Sequence, residues 1–344
     1  MLSLLTHDLG KKLRFARNFL GRRMVHVNLQ ILYNCNFRCT ICDFWKDAYR
    51  DKGRLSADET KIVSDKLNTI GPQIISIGGG EPMLHPELVP IVRALSRHHF
   101  PVMITNGSLV TEALARQLWQ AGMVEISVSI DYANPQKHDA QRGKPGAFAQ
   151  GMAALKILHA TRTHPEQRVN MISVIVDDNL DEVEPLIELS RGMGITYLVT
   201  LYSHSRGSKP AREPAREPGR RLLDLKHRHR HFVALRGYLE NFPAAANRAD
   251  PGRCQAGRNL CNIDCRGEVS FCIDRLENPA GNILTGDMRE IASRLLENHR
   301  ANACRDCWTS CRGSIESVLY GRQRLLNVWD YYQMTRPVPL RGEF

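Results

Sequence analysis

Six short apolar runs alternate with longer amphipathic stretches across the first two thirds of the chain, and this alternation limits the fold more than any other feature. The runs are Val25–Leu32, Gln73–Ile77, Val102–Thr105, Val124–Ile130, Val169–Val176 and Thr196–Leu201. Each has the length and branched side chains of a buried strand. Helix signals lie between them. Ser56-Ala57-Asp58-Glu59 is a capping box. Pro86 suits a first helical position. A later helix runs from about Phe148 to Thr161, and the next follows Asn179 as N-cap and stops near Gly192 or Gly194. This order predicts an α/β fold, a parallel sheet with right-handed crossovers. Such sheets carry ligands at the C-terminal ends of their strands.

Residues with chemistry stand at those ends. Tyr33–Trp45 reads YNCNFRCTICDFW, with Cys35, Cys39 and Cys42 in a C-x3-C-x2-C pattern. Three thiolates on one short loop suit an iron–sulfur cluster or zinc. Structural zinc takes four ligands, often as paired C-x2-C knuckles. A cubane cluster held by three cysteines leaves one iron open to a small molecule. The second run ends in Gly78-Gly79-Gly80-Glu81-Pro82, a turn whose glycines allow close backbone approach. The third ends in Thr105-Asn106-Gly107 and the fourth in Ser129-Ile130-Asp131. Arg142 follows in His138–Gly143, where a surface arginine and an anion-binding one are equally readable.

The cysteine loop after a first strand, with Ile41 before its last cysteine and a GGEP turn after the second strand, resembles the radical S-adenosylmethionine (AdoMet) superfamily. The resemblance implies a partial (β/α)6 TIM-like barrel. It implies that Cys35, Cys39 and Cys42 hold a 4Fe–4S cluster. It gives Gly79, Gly80 and Glu81 the amino group of AdoMet, and Asn106, Ser129 and Asp131 its ribose and methionyl parts. It places Arg142 on the carboxylate, and Val174 and Val176 against adenine. The implied chemistry is reductive cleavage of AdoMet to a 5′-deoxyadenosyl radical, which abstracts a hydrogen atom from substrate.

Seven further cysteines lie between Cys254 and Cys311. Residues Cys261–Cys272 read as a hairpin turning at Gly267. This region resembles the small SPASM and twitch extensions of the same superfamily. Cys254, Cys272, Cys304 and Cys307 fit one auxiliary 4Fe–4S cluster. Cys311 serves as a further ligand if there are two. Cys261, Cys265 or Cys311 is alternatively a free thiol that gives hydrogen to a substrate radical. The auxiliary cluster assists oxidation or binds substrate. The substrate is a peptide or a small molecule such as a sugar, aminocyclitol or lipid, and the electron donor is a flavodoxin or ferredoxin.

Composition narrows the classes. No apolar run reaches membrane-spanning length and no signal peptide is evident. Ten cysteines without such a signal point to metal binding in a reducing, cytoplasmic setting. The net charge of +11 invites a zinc-binding nucleic-acid protein, but that reading leaves the GGEP turn and the alternation unexplained. Residues 1–24 form an amphipathic helix whose stripe of Leu5, Leu9, Leu13 and Leu20 suits peripheral contact with an inner membrane face, or packing on the domain. The core spans 25–205. A basic linker with a tandem AREP and a helix from Arg220 to Phe242 fill 206–250. The auxiliary domain spans 251–318, and a helix and tail packed on the core fill 319–344.

Overall fold

The computed structural model describes residues 2–46, 53–203, 212, 214, 218–246, 251–322, 324–335, 337, 338 and 340. Helix α1 (Leu2–Leu20) leads into the alternating core. That core runs β1 (His26–Leu32), α2 (Ala57–Asn68), β2 (Ile74–Gly79), α3 (Leu88–Ser96), β3 (Phe100–Thr105), α4 (Glu112–Gln120) and β4 (Glu125–Ser129). It continues α5 (Pro135–Arg142), α6 (Ala147–Ala160), β5 (Arg168–Ile175), α7 (Val183–Gly192) and β6 (Thr196–Leu201). All six strands stand where the apolar runs place them and pair in parallel.

The chain then adds α8 (Gly219–Arg228), α9 (Arg236–Glu240), α10 (Phe242–Ala246), β7 (Leu260–Ile263), β8 (Glu268–Ser270) and β9 (Gly281–Asn282). It closes with α11 (Met288–Ala301), α12 (Ser310–Leu319) and α13 (Arg324–Thr335). The sheet order is β6-β5-β4-β3-β2-β1-β7-β8-β9. Strand β7 lies parallel to β1, so the cysteine-rich segment extends the same sheet. The hairpin is present: β7 and β8 pair antiparallel around Gly267, whose φ of 80° favours glycine.

The pleat divides the sheet by chemistry. Val27, Leu29, Ile31, Ile75, Ile77, Ile126 and Val128 face the helices and are fully buried against Leu67, Ile91, Leu118, Leu155 and Leu186. Each such side chain contributes roughly 1.5–3 kcal/mol. The opposite face is polar. It carries His26, Asn28 and Gln30 on β1, in register with Asn262 on β7. Further along it carries Ser127 and Asn170, which hydrogen-bond at 3.1 Å. Gln30 reaches Asn262, which reaches Ser270, while Gln30 Oε1 is buried without a partner among the described residues.

Several local expectations change. Ser56 and Glu59 do form the capping box. Pro86 lies in a turn, and α3 starts after it at Leu88. The chain first winds a 3-10 turn, Pro82–Leu84, capped by the Glu81 carboxylate, and His85 Nδ1 then accepts the Glu87 N–H. Asn179 makes no side-chain cap. Its amide instead bridges Val176 N, Asp131 O and Val174 O, tying together the ends of β4 and β5.

The basic helix predicted from Arg220 to Phe242 is broken into α8, α9 and α10. Residues His231–Val233 lie extended along β6, where Tyr197 N donates to His231 O and Val233 N to Tyr197 O. An open sheet edge needs such partners. The five apolar residues expected to be buried, Leu222, Leu225, Phe232, Leu235 and Leu239, are so. Most of the AREP repeat lies outside the described residues.

Helix α1 does rest on the domain, but not through Leu9, Leu13 or Leu20; the side chain of Leu5 lies outside the described residues. Phe15 meets Phe100 edge-on at 5.5 Å, Phe19 stacks on Tyr331 at 5.5 Å, and Asn18 donates to Ile70 O. Leu9, Leu13 and Leu20 are exposed. At the other end Trp329 and Tyr332, expected on the core, face solvent, because α13 inserts only one side, including Tyr331.

Candidate active site

The cysteine loop leaves β1 and is held from both sides. The Gly80 N–H donates to Leu32 O and the Glu81 N–H to Asn34 O. A Cβ on Gly79 would lie 1.8 Å from Leu32 O, and one on Gly80 would lie 2.0 Å from Asn34 O. The glycines are therefore required by the loop's own backbone, where the sequence suggested a ligand. From the far side Thr40 N donates to Gln141 O, and Gly143, with φ of 60°, sits under Arg38 O.

Cys39 and Ile41 join Phe37, Tyr132, Val176 and Tyr202 in a small apolar cluster, with Cys35, Cys42 and Val174 against it. Burial pushes the Cys35 thiol up to about 12; the Phe37 N–H opposes this, and Cys39, Glu81 and Cys42 add to it. Burial raises Cys39 as well, with Arg142 pulling the other way through its charge and a hydrogen bond to the sulfur. The three thiols are thus close enough to feel one another's charge.

Glu81 is buried and fully engaged. Oε1 accepts from Thr105 Oγ1 (2.7 Å) and Met83 N (3.1 Å), and Oε2 accepts from Asn106 N (2.8 Å). Burial raises its pKa against these hydrogen bonds. Asn106 Nδ2 reaches back to Asn36 Oδ1 on the cysteine loop. Asp131 is fully buried. Its Oδ2 accepts from Gln141 Nε2 and Arg142 Nη2, both at 2.5 Å, and its Oδ1 accepts from Val174 N. Arg142 Nε is buried with no partner among the described residues. Ser129 is partly exposed on the same sheet face as Asn170.

Sequence reading missed the network behind these residues. Arg212, from the AREP stretch, donates to Tyr132 Oη and Gln141 Oε1, both at 2.8 Å, and pairs with Asp177. Gln141 links it to Asp131. Nothing in Arg212's local sequence announces this, since it depends on a chain segment folding back.

The later cysteines divide by position. Cys254, Cys272, Cys304, Cys307 and Cys311 line one pocket, which Asn28 of β1 also borders. Arg312 braces it: Nη1 donates to Cys307 O, Nη2 to Gly252 O, and Nε pairs with Glu316. Burial pushes the Cys272 thiol up to about 12 and raises Cys254 and Cys307 too. Cys261 and Cys265 lie in the main apolar core instead. Both are buried there. Of the three thiols considered as hydrogen donors, Cys311 faces the pocket, with its Sγ 3.6 Å from Asn28 Oδ1.

Among the described residues no three His, Cys, Asp or Glu side chains gather tightly enough for a single metal ion. A four-iron cluster is a larger body. Soft donors, mutually close thiols and the unpartnered Arg142 Nε fit a thiolate-held cluster with an anionic ligand beside it.

A three-cysteine loop at the C-terminal edge of a partial parallel barrel defines an AdoMet-dependent iron–sulfur enzyme. Residues 29–190 match the family model of the Radical SAM superfamily. These residues carry a radical SAM domain, and the superfamily works with a 4Fe–4S cluster and AdoMet. The chain is 29% identical to the mycofactocin maturase MftC of Mycolicibacterium smegmatis, over 83% of this chain and 76% of that one. It is 33% identical to the AdoMet-dependent heme synthase of Methanosarcina barkeri, over 48% of this chain and 46% of that one. In fold it resembles Streptococcus suis SuiB bound to its precursor peptide SuiA, with TM-score 0.65, 13% identity, and 85% and 69% of the two chains covered. It also resembles anSMEcpe with bound AdoMet, with TM-score 0.59, 14% identity, and 89% and 96% covered.

Proposed function

We propose that this enzyme abstracts a hydrogen atom from a peptide. Cys35, Cys39 and Cys42 would hold the cluster. With AdoMet bound there, its reductive cleavage supplies the radical that makes an unactivated C–H bond reactive. The chain's own residues position and shield. Arg142 Nε offers its free N–H to the AdoMet carboxylate, while Asp131 fixes the guanidinium. Glu81 and Asn106 lock the loop that presents the thiols. Gly79 and Gly80 bring β2 against that loop beside the amino group, and Ser129, Val174 and Val176 border the nucleoside. The observation that carries this reading is the convergence of the three thiols with the Arg142–Asp131 pair at the strand ends.

Cys254, Cys272, Cys304 and Cys307 would hold an auxiliary cluster, with Cys311 as the fifth thiol facing Asn28. The likeness to a maturase over most of the chain supports a peptide substrate, and so do the neutral amides and hydroxyls on the sheet's polar face, which can pair with peptide groups. The identity to a heme synthase over the radical SAM half supports the second reading, a small molecule. Reconstituted, oxygen-free enzyme with AdoMet and a chemical reductant should release 5′-deoxyadenosine. Mass spectrometry of peptide and small-molecule extract fractions should then find a changed mass among the peptides. Absence of 5′-deoxyadenosine refutes the reaction, and a changed small molecule alone refutes the peptide.

No helix among the described residues is long and apolar enough to cross a membrane. The exposed Leu9, Leu13 and Leu20 beside Lys12 and Arg17 support peripheral contact with an anionic surface. Sedimentation with anionic vesicles tests it, and a triple leucine-to-serine variant that sediments equally would exclude it.

A further inference from the structure

Six arginines converge on one concavity far from the cysteine loop of β1. Arg22, Arg23, Arg253, Arg258, Arg289 and Arg300 line a groove of about 780 Å³ between the end of α1 and the face of α11. No carboxylate lines it, and none of the six has a salt bridge among the described residues. Several other surface arginines are paired, Arg191 with Glu188, Arg221 and Arg228 with Glu184, and Arg275 with Asp306, while Arg93 and Arg97, on and just after α3 and outside this groove, are unpaired among the described residues.

Two of the six sit where folding alone disfavours them. Arg289 occupies the first turn of α11, the positive end of the helix dipole. Arg22 has φ of 52°, a left-handed conformation better suited to glycine, and its guanidinium lies over the Tyr320 ring at 4.9 Å. Unpaired, mutually repelling and locally costly cations gathered in one groove are accounted for by an anionic partner.

The groove adjoins the five-cysteine pocket. Arg253 precedes Cys254 and donates to His299 O and Arg300 O, closing the groove floor. The next residue's N–H, that of Cys254, donates to Cys304 O. Groove and pocket therefore share a backbone wall.

We propose that this groove docks the acidic face of a flavodoxin-type electron carrier. The proposal rests on the reading of the chain as a reductively activated iron–sulfur enzyme. One electron passes from carrier to enzyme, and no bond is made or broken. Five of the six arginines are solvent-exposed, which suits a protein face rather than an enclosed phosphate. No Phe, Tyr or Trp lines the groove, and its one imidazole, His299, is buried, so it offers no exposed ring for stacking a base, which disfavours nucleic acid. Arginine forks match carboxylates, and such fields accelerate encounter in a salt-dependent way.

The test measures binding of flavodoxin to reconstituted holoenzyme by biolayer interferometry at low and high salt. The variant is Arg23→Glu/Arg289→Glu/Arg300→Glu, three exposed side chains outside the active site. Wild type should bind, weaken with salt, and lose affinity about tenfold or more in the variant. The corresponding triple lysine variant should bind at least half as well as wild type, and circular dichroism should match throughout. With flavodoxin as reductant, 5′-deoxyadenosine formation should fall in parallel, while dithionite supports both proteins equally. Equal binding by wild type and glutamate variant overturns the proposal. So does failure of wild type to bind flavodoxin, including the case where it retains an RNA or an anionic vesicle instead. If dithionite yields no 5′-deoxyadenosine from wild type, the reaction assigned above fails, and the binding arms still judge the groove.

Discussion

Nη2 of Arg142 lies 2.5 Å from Oδ2 of Asp131, with the aspartate fully buried and the arginine nearly so. Burial alone would lower the arginine's pKa, but Asp131 and then Cys39 more than offset it, so the cation is held firmly. The pair joins the last turn of α5 to the end of β4 and reaches the cysteine loop through the Cys39 sulfur.

Removing one partner leaves the other charged and buried. Asp131→Asn should cost about 3–5 kcal/mol in urea unfolding, because Arg142 loses its counter-charge. Asp131→Asn combined with Arg142→Met should regain a large part of that loss while AdoMet affinity stays low. Equal stability of the single and double variants would show that the charges are not coupled.

Backbone contact makes Gly80 intolerant of any side chain. Gly80→Ala drives a methyl group into Asn34 O, an atom that cannot rotate away. Overpacking of this kind costs roughly 1–3 kcal/mol or more. The expected readout is a lowered melting temperature together with lost iron after reconstitution, since the displaced segment carries Cys35. Full iron loading in this variant would mean that the loop seat is adaptable.

The cysteines separate in an iron assay. Cys272→Ala should lower iron and sulfide content while leaving the first cluster's AdoMet-dependent signal. Cys261→Ala should leave both unchanged, because its thiol lies in the apolar core opposite Val27. That variant should instead lose about 1 kcal/mol or more of stability through the vacated volume. Iron loss on changing Cys261 would contradict the division between pocket and core.

Acid should destabilise the fold through His99. Burial lowers this imidazole to about 4; its Nε2 faces Ser64 O, and its Nδ1 accepts the Gln73 N–H. The unfolded chain takes up this proton near the ordinary value of about 6.5. Between those values the unfolded state binds more protons, so stability is complete above the window and falls as pH drops through it. The loss should approach ~3 kcal/mol by pH ~4, discounting other groups. His99→Gln, which keeps a donor and an acceptor, should flatten that slope; an unchanged profile from chemical denaturation would show that another group controls it.

How much of this could be read from the chain alone follows from the range of the forces involved. The six strands, the capping box at Ser56 and the cysteine loop were legible because apolar period, cap chemistry and ligand spacing act over a few residues. The likeness to the superfamily then named the cofactors from two short motifs. Tertiary structure decided the rest. It set Gly79 and Gly80 against the loop's carbonyls, turned α1 so that Phe15 and Phe19 are covered while Leu9, Leu13 and Leu20 face out, and broke the basic helix to satisfy the edge of β6. It brought Arg212 back over Gln141, sent Cys261 into the core rather than the pocket, and gathered six arginines from three separate stretches of chain. Each of these depends on which surfaces meet after the sheet has formed, and no local pattern encodes such a meeting.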